Sequence, residues 1–518
     1  MRIIIAKPIL AILPVFVLIP ITLQITKDIH MGGLYNITKF IISAVNPSIN
    51  QSIIRSSLNG IQVTLFIAII SWSLSVVFGI MLGLLSSDIF YKIIDINPKL
   101  SKAIKIILSI PRATHELIWG LLLLQFFGLK PWIAIVSIVI PYSCLMARVF
   151  SEQINQIDIT TIIAIKHNGA SKFGVLITAL LPKIIPLISS YGYYRLECAI
   201  RGATALGIFG LGGIGTELQL TIQSLEFRDM WTSLWLLFIT IIILEKIVHS
   251  LQSPNLYQNN IGLYSLLNII VLISSLIISI IMLQKLGLDI FSPIKFHSFN
   301  FDYNQKIIIK NMSNLPWIKL FFETISMTVL SSSIAISVPP LLLMILPFRS
   351  LSFLIDIIFI FFRVIPSPLL LLLLLLCTTP SIYVAALALG IQNLGVMGRI
   401  LKENIAKLDN CKYSAIRSVG ASSSIGWFYG KFCSISNNYL TYSAYRSDVI
   451  LRETIVVGAI GGVGLGWQLR ESLSSFAWDE VLMITMAFIL ITLIGEALSR
   501  QFQNYLKKTN EQGLTVKT

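Results

Sequence analysis

The chain has 518 residues, of which 55% are hydrophobic and 12% charged, with a net charge of +15. Together with a mean hydropathy of +0.83, this excludes a soluble globular fold, in which about 25% of residues are charged. The basic residues fall mostly in short gaps between apolar runs, as in the cytoplasmic loops of a membrane protein, so the charge points to a lipid bilayer and not to nucleic acid.

At the N-terminus, MRIIIAKPILAILPVFVLIPITLQ places Arg2 and Lys7 ahead of a long apolar run with no small-residue cleavage site. That predicts an uncleaved first helix whose start is cytoplasmic. Stretches long enough to span occur near 8–24, 59–85, 103–128, 131–149, 184–209 and 231–248. A second set follows near 262–283, 318–346, 351–376, 381–400, 434–460 and 482–499. The expected fold is all-α and polytopic, with about 12 transmembrane helices of about 20 residues each. They form two tandem modules, 1–255 and 256–518.

Charge agrees with this count. Lys92, Lys99, Lys102 and Lys105 follow the second span. Arg148, Lys166, Lys172 and Lys183 flank the loop after the fourth, and Arg399, Lys402, Lys407, Lys412, Arg417 and Lys431 flank its counterpart. Arg500, Lys507 and Lys508 close the chain. All fall on the cytoplasmic side, and the loops near 25–58 and 284–317 fall outside. The five cysteines have no CxxC spacing and read as buried, inert thiols. The five histidines form no metal signature.

An internal repeat runs through both sets at one constant offset. Arg112 recurs 251 positions later as Arg363, Arg148 as Arg399, Glu152 as Glu403 and Asp158 as Asp409. Gly169-Ala170-Ser171 recurs as Gly420-Ala421-Ser422, Tyr194-Arg195 as Tyr445-Arg446, and Arg201 as Arg452. Gly207, Gly210, Gly213 and Gly215 become Gly458, Gly461, Gly464 and Gly466. Chance does not hold one register for so long. Parallel repeats pack about an axis along the membrane normal, where a pathway runs.

The loop after the fourth span reads IIAIKHNGASKFGVLITALLPKIIP in one half and YSAIRSVGASSSIGWFYGKFCSIS in the other. A short helix ended by glycine, then a second helix, makes a compact cytoplasmic knob. Two equal knobs suit a twofold partner. The A-x-x-x-x-G-A-S pattern, followed by Leu181-Pro182, resembles the coupling loop of bacterial ABC-import permeases. The resemblance implies that Ala164, Gly169, Ala170 and Ser171, with Ala415, Gly420, Ala421 and Ser422, dock onto an ABC ATPase dimer. The family's glutamate is replaced by Ile163 and Ser414, and its Leu-Pro by Phe432-Cys433 in the second half.

The next stretch, SYGYYRLECAIRGATALGIFGLGGIGTELQLTIQSLEF, resembles the permeases of phosphonate and phosphite importers. YSAYRSDVILRETIVVGAIGGVGLGWQL is a looser copy. The resemblance implies import of a phosphorus oxyanion across the bacterial cytoplasmic membrane, delivered by a soluble substrate-binding protein. Fused permeases for ferric iron or thiamine are the alternative, and a secondary transporter the more distant one. Glu197 and Arg201 are four apart, as are Asp448 and Arg452, and both pairs read as structural ion pairs. Arg195 and Arg446 have no partner evident at that spacing. They read either as pathway residues that would meet an anion bidentately or as parts of an interhelical salt bridge. Arg201 and Arg452 lie nearer the outer end of the same path. His115 and Glu116 do not recur in the second half, where Pro366 and Ser367 stand, and read as local polar contacts. No GxxxxGK[ST] occurs, so the chain is expected to be a non-enzymatic subunit that binds no cofactor, with ATP used by its partner.

Overall fold

The computed structural model describes residues 2–251, 261–285, 315–345 and 349–515, and every regular element among them is helical. In chain order these are α1 (Lys7–Asp28), α2 (Met31–Ser43), α3 (Gln51–Leu85), α4 (Asp88–Ile94), α5 (Lys99–Ala113), α6 (Glu116–Phe127) and α7 (Pro131–Asn155). There follow α8 (Thr160–His167), α9 (Lys172–Leu211), α10 (Ile214–Gln223), α11 (Phe227–Leu251) and α12 (Ile261–Lys285). The rest are α13 (Trp317–Ile345), α14 (Arg349–Val364), α15 (Ser367–Leu375), α16 (Ile382–Ala406), α17 (Cys411–Ser418), α18 (Ser423–Gly461), α19 (Gly464–Ser474) and α20 (Trp478–Thr515). Most of the expected outer loop near 284–317, and the side chains of Lys507 and Lys508, lie outside the described residues.

Nine helices among the described residues are long and apolar enough to cross a bilayer, and up to twelve if each of three bent pairs counts as one span. The expected spans near 103–128 and 351–376 are two of those pairs and are not straight. α5 meets α6 at 78°, and Phe353–Val364 meets α15 at 92°. The causes are local. At the first break His115 leaves the helical region and its Nδ1 accepts the Leu117 N–H at 3.2 Å, capping α6. At the second, Pro366 is extended ahead of α15 with Pro368 in the first turn, and a residue before proline resists helix.

The chain packs as two units, residues 46–301 and residues 1–45 with 302–518. On the modules expected from the sequence, 1–255 and 256–518, the first helix of each packs in the unit formed by the remainder of the other. In the first unit Tyr193 Oη of α9 donates to Asn268 Oδ1 of α12 at 2.7 Å, and Ser73 and Ser279 share a hydrogen bond at 2.9 Å. α3 and α7 approach closely through Gly79 and Gly83, which face Met146 and Phe150 with no room for a Cβ at Gly79. In the second unit Ala11 and Ile21 of α1 join the core with Ile334, Phe359, Met397 and Phe432. Outward-facing isoleucines such as Ile269, Ile273, Ile277 and Ile280 on α12 stay exposed, as lipid-facing side chains do. The expectation of buried cysteines fails at Cys411, which is exposed at the start of α17.

Hydrogen bonds locate the ends of the helices within each unit. Asn155 Oδ1, at the end of α7, accepts from Ser87 Oγ at 3.0 Å and from the Asp88 N–H at 2.9 Å. The chain therefore leaves and returns to one face between α4 and the end of α7, so the bent α5–α6 pair makes a single net crossing. In the other unit the His30 N–H donates to Cys377 O at 3.0 Å, joining the end of α1 to the end of α15. Lys7 Nζ donates to Asn437 Oδ1 at 2.8 Å, joining the start of α1 to the first half of α18.

Candidate coupling elbows and buried arginines

Each half turns from its fourth span into its fifth through the same elbow. α8 ends at His167, Gly169 takes φ +87°, and Ser171 caps α9 by accepting the Gly174 N–H at 3.1 Å. In the second half α17 ends at Ser418, Gly420 takes φ +87°, and Ser422 caps α18 by accepting the Ile425 N–H at 3.4 Å. A left-handed residue is costly for anything but glycine. The substitutions at Ile163, Ser414, Phe432 and Cys433 leave this geometry alike in both copies. A π-helical turn follows each elbow, Leu176–Leu180 and Trp427–Phe432.

The elbows are exposed but tethered differently. Phe173 is 72% exposed in the first and Val419 87% exposed in the second. Lys172 Nζ donates to Ile94 O at 2.8 Å and lies 3.3 Å from Asp95, tying the first elbow to the loop after α4. In the second, Arg417 closes on its own loop by donating to Ala421 O at 2.6 Å. Asp158 accepts the Thr160 N–H at 3.0 Å and its hydroxyl at 2.7 Å, and these bonds hold its carboxyl below the usual range.

Of the repeated arginines, the four on α9 and α18 are buried or nearly so. Arg201 pairs with Glu197 at 3.1 Å and Arg452 with Asp448, as the i, i+4 spacing predicts. Arg195 and Arg446, which the sequence leaves without partners, both have them. Arg195 donates to Tyr191 Oη through Nε at 2.8 Å and Nη2 at 2.6 Å, and its guanidinium lies 5.1–5.8 Å from the ring centres of Tyr142, Tyr191 and Tyr194. Arg446 donates to Asn393 Oδ1 of α16 at 2.5 Å and lies 3.2 Å from Glu453. The reason is geometric. Tyr191 is one turn back on the same face, Glu453 is two turns on, and Asn393 belongs to another helix. Only Asn393 was beyond reach of sequence spacing.

Beyond the arginines the helix breaks at glycine. α9 ends in a π turn in which Gly210 takes φ +89°. A Cβ on Gly215 would lie 2.1 Å from Thr204 O, and one on Gly466 would lie 2.2 Å from Ile455 O. At these two glycines the close approach is between consecutive helices, α9 against α10 and α18 against α19, while a Cβ on Gly213 would meet Thr64 of α3 and one on Gly464 would meet Thr324 of α13. Thr64 Oγ1 accepts the Ile214 N–H at 2.9 Å and Thr324 Oγ1 the Leu465 N–H at 3.1 Å, pinning both breaks. Arg112 and Arg363 are buried beside the bends that precede α6 and α15. His115 Nδ1 lies 3.4 Å from Glu116. Among the described residues no group of three or more metal-ligating side chains occurs.

The repeated elbows, buried ion pairs and glycine breaks in a multi-spanning helical chain define a polytopic membrane permease. No family model matches the chain. Over 455 residues it is 22% identical to the "Phosphate-import permease protein PhnE" of Mycolicibacterium smegmatis (strain ATCC 700084 / mc(2)155), covering 84% of this chain and 83% of that protein. Over 107 residues it is 30% identical to the "Putative cryptic phosphonate transport system permease protein PhnE2" of Escherichia coli (strain K12), covering 21% of this chain and 88% of that protein. The "Phosphite transport system permease protein PtxC" of Stutzerimonas stutzeri is 24% identical over 200 residues, 39% of this chain and 70% of that protein. An inward-facing MetNI methionine ABC transporter structure is similar at 21% identity and a TM-score of 0.35, covering 39% of this chain and 99% of that one. The chain belongs to the family of phosphonate transport system permease proteins.

Proposed function

We propose that the chain is the two-module permease subunit of an ATP-driven importer, carrying phosphonate or a related phosphorus oxyanion inward across the bacterial cytoplasmic membrane. The repeated elbow carries the reading. Two equal, exposed, glycine-hinged knobs offer matched surfaces to a twofold ATPase, while the chain has no phosphate-binding Walker loop of its own. A soluble binding protein delivers the substrate outside. ATP is used by the partner, whose closure draws the elbows together and rocks the halves between inward and outward access.

The orientation follows. The start of α1 lies beside the coupling-loop end of α18, so elbows that face the ATPase put the N-terminus in the cytoplasm. Arg195, Arg201, Arg446 and Arg452 line the anion's path, because guanidinium meets phosphonate oxygens bidentately. The names of the relatives support the cargo.

The test is uptake of labelled methylphosphonate, phosphite and phosphate into vesicles holding the chain, its ATPase and its binding protein. ATP-dependent uptake of one of them is expected. An assembled complex that moves none of the three with ATP overturns the oxyanion reading and favours ferric iron or thiamine.

A further inference from the structure

The two halves differ where the buried arginines are balanced. At the constant offset, Gly202 of the first half corresponds to Glu453 of the second, and Glu116 to Ser367. Tyr142 corresponds to Asn393, and Arg195 to Arg446. In the second half the carboxylate comes from α18. Glu453 lies 3.2 Å from Arg446 and accepts from Asn393 Nδ2 at 2.9 Å. In the first half that position is Gly202, and the space in front of it is not empty. A Cβ built on Gly202 would lie 3.0 Å from Glu116 Oε1 and 3.5 Å from Tyr142 Oη. The carboxylate there arrives from the N-terminus of α6. Tyr142 belongs to the same cluster, its ring centre 5.2 Å from the Arg195 guanidinium, and the Glu116 carboxylate lies 3.4 Å from His115 Nδ1. The side chains of Glu116 and Glu453 are 12% and 17% exposed, so the two acids are similarly buried, each in its own unit.

We infer that Glu116 and Glu453 are one positioning carboxylate delivered from two different helices. In the second half it pairs with Arg446 beside the Arg452–Asp448 pair, and in the first it lies beside Gly202, next in sequence to Arg201 of the Arg201–Glu197 pair, so that each cluster holds two arginines and two acids. A cluster balanced in this way can attract an oxyanion and still let it leave, the condition for passage through a binding site. The carboxylate acts through the arginines by limiting their grip on the transported anion. This step rests on the reading that the arginines line the path.

Uptake of methylphosphonate by the assembled transporter tests it. Glu116→Gln and Glu453→Gln are each expected to lower KM by roughly tenfold or more, the scale of one close unit charge, and to lower the maximal rate as release slows. Glu116→Ser combined with Gly202→Glu moves the acid to the helix that carries it in the second half. It is expected to return KM and the detergent Tm to the wild-type values, where Glu116→Ser alone changes both. A relocated variant that inserts normally but keeps the Glu116→Ser kinetics overturns the equivalence. Glutamine variants that assemble with unchanged KM overturn the role. Arg195→Gln with Arg446→Gln locates such a failure. If that pair also leaves KM unchanged, the anion-path reading has failed. If it shifts KM, only the carboxylate role has.

Discussion

Arg446 shows what a buried charge requires of its surroundings. It is held by an amide from α16 and a carboxylate from its own helix, and removing it strands Glu453 beside Asn393. Arg446→Ala is expected to destabilise the unit by about 3–5 kcal/mol, the usual effect of breaking one side of a buried pair. A detergent melting curve checks this, and adding Glu453→Gln should recover part of the loss. Gly466 makes a contrasting case, because its constraint is space and not charge. With Ile455 O 2.2 Å from the site of a Cβ, Gly466→Ala must shift backbone and is expected to cost about 1–3 kcal/mol or more. The same melt measures it. At Gly32 a Cβ meets nothing within 4 Å, so Gly32→Ala should leave the melt where it was.

The elbows and the bent pairs carry the element-scale predictions. Gly169→Asp with Gly420→Asp places side chains at φ +87° in open space, so the strain falls on the elbow and not on the helices behind it. The double variant is expected to insert normally but lose ATP-dependent uptake at least tenfold. Near-normal uptake would remove the elbows from the docking surface. The single net crossing of α5–α6 predicts that Asn97→Cys and Leu129→Cys react with impermeant thiol reagents from opposite sides of the membrane. Labelling from one side would make the pair a re-entrant loop. Sequence reading reached the elbows because a glycine that ends a helix leaves a local signature, and that signature recurs at fixed offset. Hydropathy also marked every candidate span among the described residues, each bent pair counted as one. It could not see the bends, since Ile365-Pro366 and Thr114-His115 interrupt runs whose average hydropathy stays high. Nor could it see Asn393 on Arg446, because a partner on another helix obeys no spacing rule.

On the scale of the molecule, the repeat and the packing follow different boundaries. Residues 1–45 complete the unit built by 302–518, and α12 completes the other. Cutting the connection near residue 255 is therefore expected to leave two fragments that copurify when coexpressed, because each holds a helix that the other's unit needs. Deleting residues 1–45 is expected to destabilise 302–518 more than 46–285, which limited proteolysis of the purified protein would report. Equal protection of both units would mean that α1 adds little to the core around Phe359 and Phe432. Repeat symmetry alone places α1 with the residues that follow it. Ala11 and Ile21 pack instead into the later core, and apolar residues in α1 could not announce which apolar partner they would choose.

That exchange sets a timetable for synthesis. From residue 45 to residue 302 the ribosome must add 257 residues, which takes about 13–50 s at about 5–20 residues per second. For that interval α1 is in the bilayer with no partner from its own unit. Its best window has a mean hydropathy of 2.4 and only 11% of it is buried in the finished unit, so lipid alone can host it while it waits. A more polar first helix, adequate in the finished fold, would spend the same interval exposed to the cell's membrane quality control.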